Sequence, residues 1–220
     1  EIPTIPSGGT SPYTYSWNPG GQNTQSISNL SAGSYTCVIT DFVGCTFTTN
    51  TVVVTNPPAL TATSTSTDIT CDGANDGTAE VVNPQGGTGT YTYSWNPGGQ
   101  NTQSINNLPA GTYTYTVTDA NSCNFSDNVT IVNPPAITAT ATSTDITCPG
   151  VNDGTATVVN PQGGTGPGTY TYLWSDGQNT QTATGLSGGS YTCVITDANS
   201  CTFTTNSVVV VDPPVFTATT

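Results

Sequence analysis

The chain of 220 residues contains no lysine, no arginine and no histidine, against 13 acidic residues, for a formal net charge of −13. Each absence removes a class of chemistry. Without cations no phosphate backbone can be neutralised, which excludes nucleic-acid binding. Attachment to anionic lipid by charge fails for the same reason. No side-chain salt bridge can form, and a lysine–asparagine isopeptide cross-link is chemically impossible. Catalysis would have to rest on a carboxylate pair. None stands out, with Glu1 and Glu80 the only glutamates, so no enzyme is expected. No apolar run approaches the roughly 20 residues needed to cross a bilayer as a helix, and no direct membrane insertion is expected of this segment. What remains is a chain of one charge sign, weakly self-repelling, which favours extension and suits divalent cations.

Against these absences stands a repeat. The block CDGANDGTAEVVNPQGGTGTYTYSW, beginning at Cys71, begins again as CPGVNDGTATVVNPQGGTGPGTYTYLW at Cys148. The stretch 1–56 matches the back part of the same unit, so Trp17, Trp95 and Trp174 are equivalent, as are Asp41, Asp119 and Asp197. The expected organisation is a partial repeat over 1–56 lacking its first strands, repeats over 57–133 and 134–212, and the start of a further first strand over 213–220. Such arrays build reach or multivalency. Hydrophobic residues are only 33% of the chain. Threonine makes up roughly a fifth, which suits strands with one wet face. A unit this small is marginal on its own core, so covalent help is expected.

The cysteines are read as that help. Cys71 opens the second repeat and Cys123 lies in its last hairpin; Cys148 and Cys201 occupy the same places in the third. The expected bridges are therefore Cys71–Cys123 and Cys148–Cys201, with the partner of Cys45 lying before Glu1. Closing a loop of about 53 residues adds roughly 4 kcal/mol on the chain-entropy account. Zinc is a poor alternative, because no paired C-x-x-C spacing exists and histidine is absent. Bridges imply an oxidising, extracellular compartment. Cys37 and Cys193 stand where the second repeat has Tyr115. A position that takes either residue reads as a buried free thiol.

In the second repeat, turn signals separate short alternating segments at 59–70, 78–82, 90–95, 103–105, 112–119 and 124–132. Asn83-Pro84-Gln85-Gly86-Gly87 reads as a break. About seven short strands per unit and no helical period indicate an all-β chain of tandem immunoglobulin-like β-sandwiches. Trp17, Trp95 and Trp174 are placed at the core, and Tyr35, Tyr113 and Tyr191 in tyrosine corners. Asn56-Pro57-Pro58, Asn133-Pro134-Pro135 and Asp212-Pro213-Pro214 join the units. Stiff connectors of this kind predict a semi-rigid rod. The stripe Tyr91-Tyr93-Trp95 recurs in every unit, so core packing is the better reading than a sugar-stacking platform. Asp68, Asp72, Asn75 and Asp76, with Asp145 and Asp153 in the third repeat, are oxygen ligands that would suit Ca²⁺ at a junction. Asx turns account for Asp76 and Asp153 without metal. Beyond calcium no cofactor is expected. Asp41, Asp119 and Asp197 are expected to accept N–H bonds at the hairpin turn.

Taken together, C-x-G…N-D-G-T-A-x-V…G-G-T-G…Y-T-Y-x-W…A-G-x-Y…V-T-D-A-N-S-C resembles the repeat of SprB-type gliding adhesins, related in pattern to PKD-like immunoglobulin-fold modules. The resemblance covers the second and third repeats and the portion of the first that is present. It departs from the pattern in its cysteines at 37 and 193 and in having no basic residue. It implies a very large repetitive protein of the bacterial cell surface, exported by type IX secretion. The implied role is an extended stalk or multivalent adhesive filament for attachment or gliding. The implied partners are an extracellular surface, a polysaccharide or neighbouring copies of the same protein. The alternatives are a structural filament assembled by lateral or end-to-end contacts, favoured by sheet edges without lysine, and a carbohydrate-binding module of a secreted enzyme.

Overall fold

The computed structural model describes residues 6–166 and 168–218. Glu1 and the last residues of the 213–220 segment lie outside the described residues. Among the described residues every regular element is a β-strand. Contacts group the chain into two compact units, Glu1–Ala59 with Gly86–Thr88, and Leu60–Gln85 with Gly89–Thr220.

Repeat 1 carries β1 (Thr14–Asn18), β2 (Gly33–Thr40), β3 (Thr46–Thr48) and β4 (Val52–Val54). Together they form one antiparallel sheet in which β2 pairs with the other three. Alternation along β2 turns Tyr35, Cys37 and Ile39 to one face, where they pack with Trp17.

Repeat 2 contains β5 (Thr61–Thr67), β6 (Gly77–Gln85), β7 (Thr92–Asn96), β8 (Ser104–Leu108), β9 (Gly111–Thr118) and β10 (Asn124–Ile131). These six strands form two three-stranded sheets, β5-β6-β8 and β10-β9-β7. Their inner faces share one core. Ala62, Ala79, Val81, Ile105 and Leu108 come from the first sheet, and Trp95, Tyr113, Tyr115, Val117 and Ile131 from the second. That is a β-sandwich with immunoglobulin-like pairing. Asn83-Pro84-Gln85 does not break the chain as the turn composition suggests. The strand runs through it by a bulge, in which Thr61 pairs with Gln85 and Thr63 with Val82. Asn83 takes a φ of 50°, and Pro84 sits where the ladder needs no N–H.

Repeat 3 repeats the plan with β11 (Thr138–Thr144), β12 (Gly154–Gln162), β13 (Thr171–Trp174), β14 (Thr182–Leu186), β15 (Gly189–Tyr191), β16 (Cys193–Thr196), β17 (Thr202–Thr204) and β18 (Val208–Val210). Here one long strand of repeat 2 is divided: β15 pairs with β18, while β16 pairs with β13 and β17. The core again joins both layers around Trp174.

Each tryptophan is anchored as well as buried. The indole N–H of Trp17, Trp95 and Trp174 donates to the carbonyl of Thr24, Thr102 and Thr180, each at 2.9 Å. Each corner tyrosine ties its loop the same way. Tyr35, Tyr113 and Tyr191 donate to the carbonyls of Ser31, Pro109 and Ser187, at 2.8, 2.9 and 3.0 Å.

Candidate functional site: the junction between repeats 2 and 3

The junction is assembled from two strand ends. At the exit of repeat 2, the loop after β5 folds onto the end of β10. Asp68 Oδ1 accepts the Val132 N–H at 2.8 Å, and Asn133 Oδ1 accepts the Gly73 N–H at 3.1 Å. The Asn133 side-chain amide also donates to Asp72. Within the loop, Cys71 O accepts the Ala74 N–H at 2.9 Å. Asp76 accepts both the hydroxyl and the N–H of Thr70, and these bonds, the hydroxyl first, hold its pKa below the ordinary carboxylate value.

Repeat 3 reproduces this arrangement at its own exit. Asp145 Oδ1 accepts the Val211 N–H at 2.9 Å, Asp212 Oδ1 accepts the Gly150 N–H at 3.2 Å, and Cys148 O accepts the Val151 N–H at 3.1 Å. Asp153 is lowered by Thr147 as Asp76 is by Thr70. The change of polar side chains is coordinated: Asp72 with Asn133 becomes Pro149 with Asp212. An aspartate at 212 needs no amide to satisfy a facing carboxylate, because Pro149 has none. The carboxylates read from sequence as calcium ligands are thus engaged with protein donors: Asp76 and Asp153 with threonines of their own loops, and Asp68, Asp72 and Asp145 with groups just past the last strand. No group of three or more metal-ligating side chains converges among the described residues.

The entry of repeat 3 is the other half of the junction. Gly164 N–H donates to Pro135 O at 2.7 Å, holding the connector against the GG turn. At Gly163, φ is +81° and a Cβ would lie 1.9 Å from the Ala136 carbonyl oxygen, so only glycine fits. Asp197 then fastens the hairpin to that turn. Its Oδ2 accepts the Thr165 N–H at 2.8 Å and its Oδ1 accepts the N–H groups of Asn199 and Cys201, each at 2.9 Å. Burial pulls the Asp197 pKa up, but these donors with the Thr165 hydroxyl outweigh it and hold the group below the ordinary value.

Across the boundary, Cys71 of repeat 2 is bonded to Cys201 of repeat 3, with a Cα–Cα distance of 5.6 Å and a sequence separation of 130. This corrects the expected Cys71–Cys123 and Cys148–Cys201 pairs: Cys123 and Cys148 are free and exposed, as is Cys45. The reason is geometric. Cys123 immediately precedes β10, while the Cys71 loop is fastened to Val132 and Asn133 just beyond its other end. At about 3.3 Å per residue, that eight-residue strand holds the two cysteines of one repeat apart by more than 20 Å. A disulfide needs Cα atoms within about 7 Å. The hairpin cysteine of the next repeat meets the requirement instead. Cys71 packs against the core of repeat 3, and a cleft of about 390 Å³ beside the bond is lined by Asp72, Pro134, Ile137 and Phe203 among others.

The remaining cysteines sit inside. Cys37 and Cys193 are free and fully buried, and burial pushes the Cys193 thiol up. Their backbones are clamped alike: the N–H donates to Thr49 Oγ1 or Thr205 Oγ1, each at 3.0 Å. Of the aromatic stripe, Trp95 is 1% exposed and Tyr91 and Tyr93 pack partly against the core.

Solved structures of similar outline include three N-terminal domains of the bacteriophage RB49 outer capsid protein Hoc, at 14% identity and a TM-score of 0.44, covering 91% of this chain and 86% of that one. Extracellular domains 3–5 of Drosophila OTK match at 15% and 0.28, over 92% and 86%. A Bacteroides ovatus glucan-utilisation protein, SGBP-B, solved with a mixed-linkage heptasaccharide, matches at 16% and 0.22, over 90% and 59%. No curated protein sequence matches the chain. The sequence profile of the SprB repeat matches twice, over residues 63–100 and 140–179. Each match opens in the first strand of a sandwich and ends just past its tryptophan, at the same point of the period. The front parts of repeats 2 and 3 are thus similar to the SprB repeat.

Proposed function

We propose that this chain is a segment of a long secreted adhesin of the bacterial cell surface, in which sandwich repeats act mechanically, as a stalk that presents or multiplies adhesive contacts. The observation that carries this reading is the tandem pair of SprB-like repeats joined by a disulfide across their boundary. Two covalent links, the Asn133-Pro134-Pro135 main chain and the Cys71–Cys201 bond, resist rotation of one sandwich about the other, which suits a load-bearing stalk. A bond of this kind is kept in an oxidising compartment, which supports an extracellular setting. Among the described residues no helix is long and apolar enough to cross a membrane. Many weak contacts along one array combine into avidity, with an extracellular surface or a polysaccharide as the partner. The buried tryptophans, at 4, 1 and 1% exposure for Trp17, Trp95 and Trp174, argue against the sugar-stacking alternative.

The test is to label live cells with an antibody against one repeat and to film the label. Label that travels along the cell and drags beads is the expected result for a gliding adhesin. Label fixed on long static fibres would replace this reading with a structural filament.

A further inference from the structure

The staggered bond is one example of a set, because the surroundings of Cys71 and Cys201 are built again at every other cysteine of the two classes. The opening-loop cysteines share one turn: Cys71 O accepts the Ala74 N–H and Cys148 O the Val151 N–H. Both loops are fastened to the end of the last strand, through Asn133 to Gly73 and through Asp212 to Gly150. The hairpin cysteines share another. Asp41, Asp119 and Asp197 each accept the N–H of Cys45, Cys123 and Cys201 at 2.8, 2.8 and 2.9 Å. The same three aspartates donate their own N–H to those cysteines' carbonyls, at 3.0, 2.9 and 3.0 Å. Residues 44, 122 and 200 take φ values of 91, 66 and 67°. Cys201, which is bonded, is buried; Cys45, Cys123 and Cys148, with the same local geometry, are exposed thiols.

We infer that the opening cysteine of each repeat bonds to the hairpin cysteine of the repeat that follows it in the same polypeptide. Cys148 then takes the hairpin thiol of a succeeding repeat, and Cys123 and Cys45 take opening-loop thiols of preceding ones. Each bond forms by loss of two protons and two electrons from two thiols. A disulfide oxidant accepts them and leaves as two thiols, through a mixed-disulfide intermediate. The inference concerns the covalent pattern of the array and stands whether or not the array adheres.

Trypsin has no site in this chain, which lacks lysine and arginine, but cleavage before aspartate separates the four relevant cysteines onto peptides 68–71, 119–126, 145–152 and 197–211. After folding with oxidised glutathione and alkylation without reduction, the chain should give 68–71 linked to 197–211, with 119–126 and 145–152 alkylated. Recovery of 145–152 linked to 197–211 would overturn the stagger. A lengthened chain tests its propagation: residues 1–212 followed by a second copy of 57–133, with Cys123→Ser in the first copy. Peptide 145–152 should now be linked to 119–126 within one molecule, and Cys148→Ser should leave 119–126 alkylated. Linkage of 119–126 to 68–71, a link between two molecules, or an alkylated Cys148 in the lengthened chain would each refute the inference. Protection of the buried Cys37 and Cys193 from alkylation reports that the chain has folded.

Discussion

One core position is filled by Cys37 in repeat 1, Tyr115 in repeat 2 and Cys193 in repeat 3, and all three are fully buried. In repeat 2, Tyr115 stacks obliquely on Trp95 at 5.5 Å and on Phe125 at 6.4 Å. Its hydroxyl is the group left over, buried with no hydrogen-bond partner among the described residues. Burial pushes its pKa up, and the nearby Ser64 opposes that shift without reversing it or reaching hydrogen-bonding geometry. An unsatisfied buried hydroxyl costs on the order of 1–3 kcal/mol. Tyr115→Phe is therefore expected to stabilise the chain by about 1 kcal/mol, read as a higher urea midpoint. Tyr113→Phe, which removes the corner bond to Pro109, should lower stability by about 1 kcal/mol. Equal effects from the two substitutions would contradict this account.

At the scale of elements, the turns are held by carboxylates rather than by ion pairs. Asp41, Asp76, Asp153 and Asp197 all lie below the ordinary carboxylate value: Thr10 N–H leads at Asp41, the Thr70 and Thr147 hydroxyls at Asp76 and Asp153, and at Asp197 the donors overcome its burial. A carboxylate depressed in the fold contributes stability that is present above its unfolded pKa of about 3.9. That stability is lost as pH falls through the lower folded value. Urea midpoints should hold steady from pH 7 to about 5 and fall below about 4. A rise in stability on acidification to pH 3 would mean that relief of the −13 net charge dominates instead. Much at this scale was legible in the sequence. The return of the Cys71 block at Cys148, the turn dipeptides and the alternation of TYTYTVTD marked the strands, and the recurring tryptophan marked the core. The Asn83-Pro84 bulge was not legible, because turn residues inside a strand and turn residues ending one have the same composition. Nor was the hydrogen bonding of Asp68 and Asp145 to the last strand, since the partners lie 64 and 66 residues away.

For the whole molecule, the least legible feature was the phase of the disulfides. In a periodic chain, pairing within a repeat and pairing one repeat along satisfy the same spacing, and only the strand between the two cysteines decides. Cys71 and Cys201 enclose 130 residues of sequence separation, about 440 Å of contour at roughly 3.4 Å per residue. Stretched between its ends with the bond intact, the chain should release that much less length than after reduction, and single-molecule force extension would read the difference directly. An unchanged contour on reduction would mean that the bond is not where the structure places it. The same stagger also sets an order in time. When Cys71 has been synthesised, its partner Cys201 has yet to be made, and a repeat whose own two cysteines lie too far apart to bond must wait for its successor to fold into place. The oxidised bond is thus a record that the next sandwich has folded.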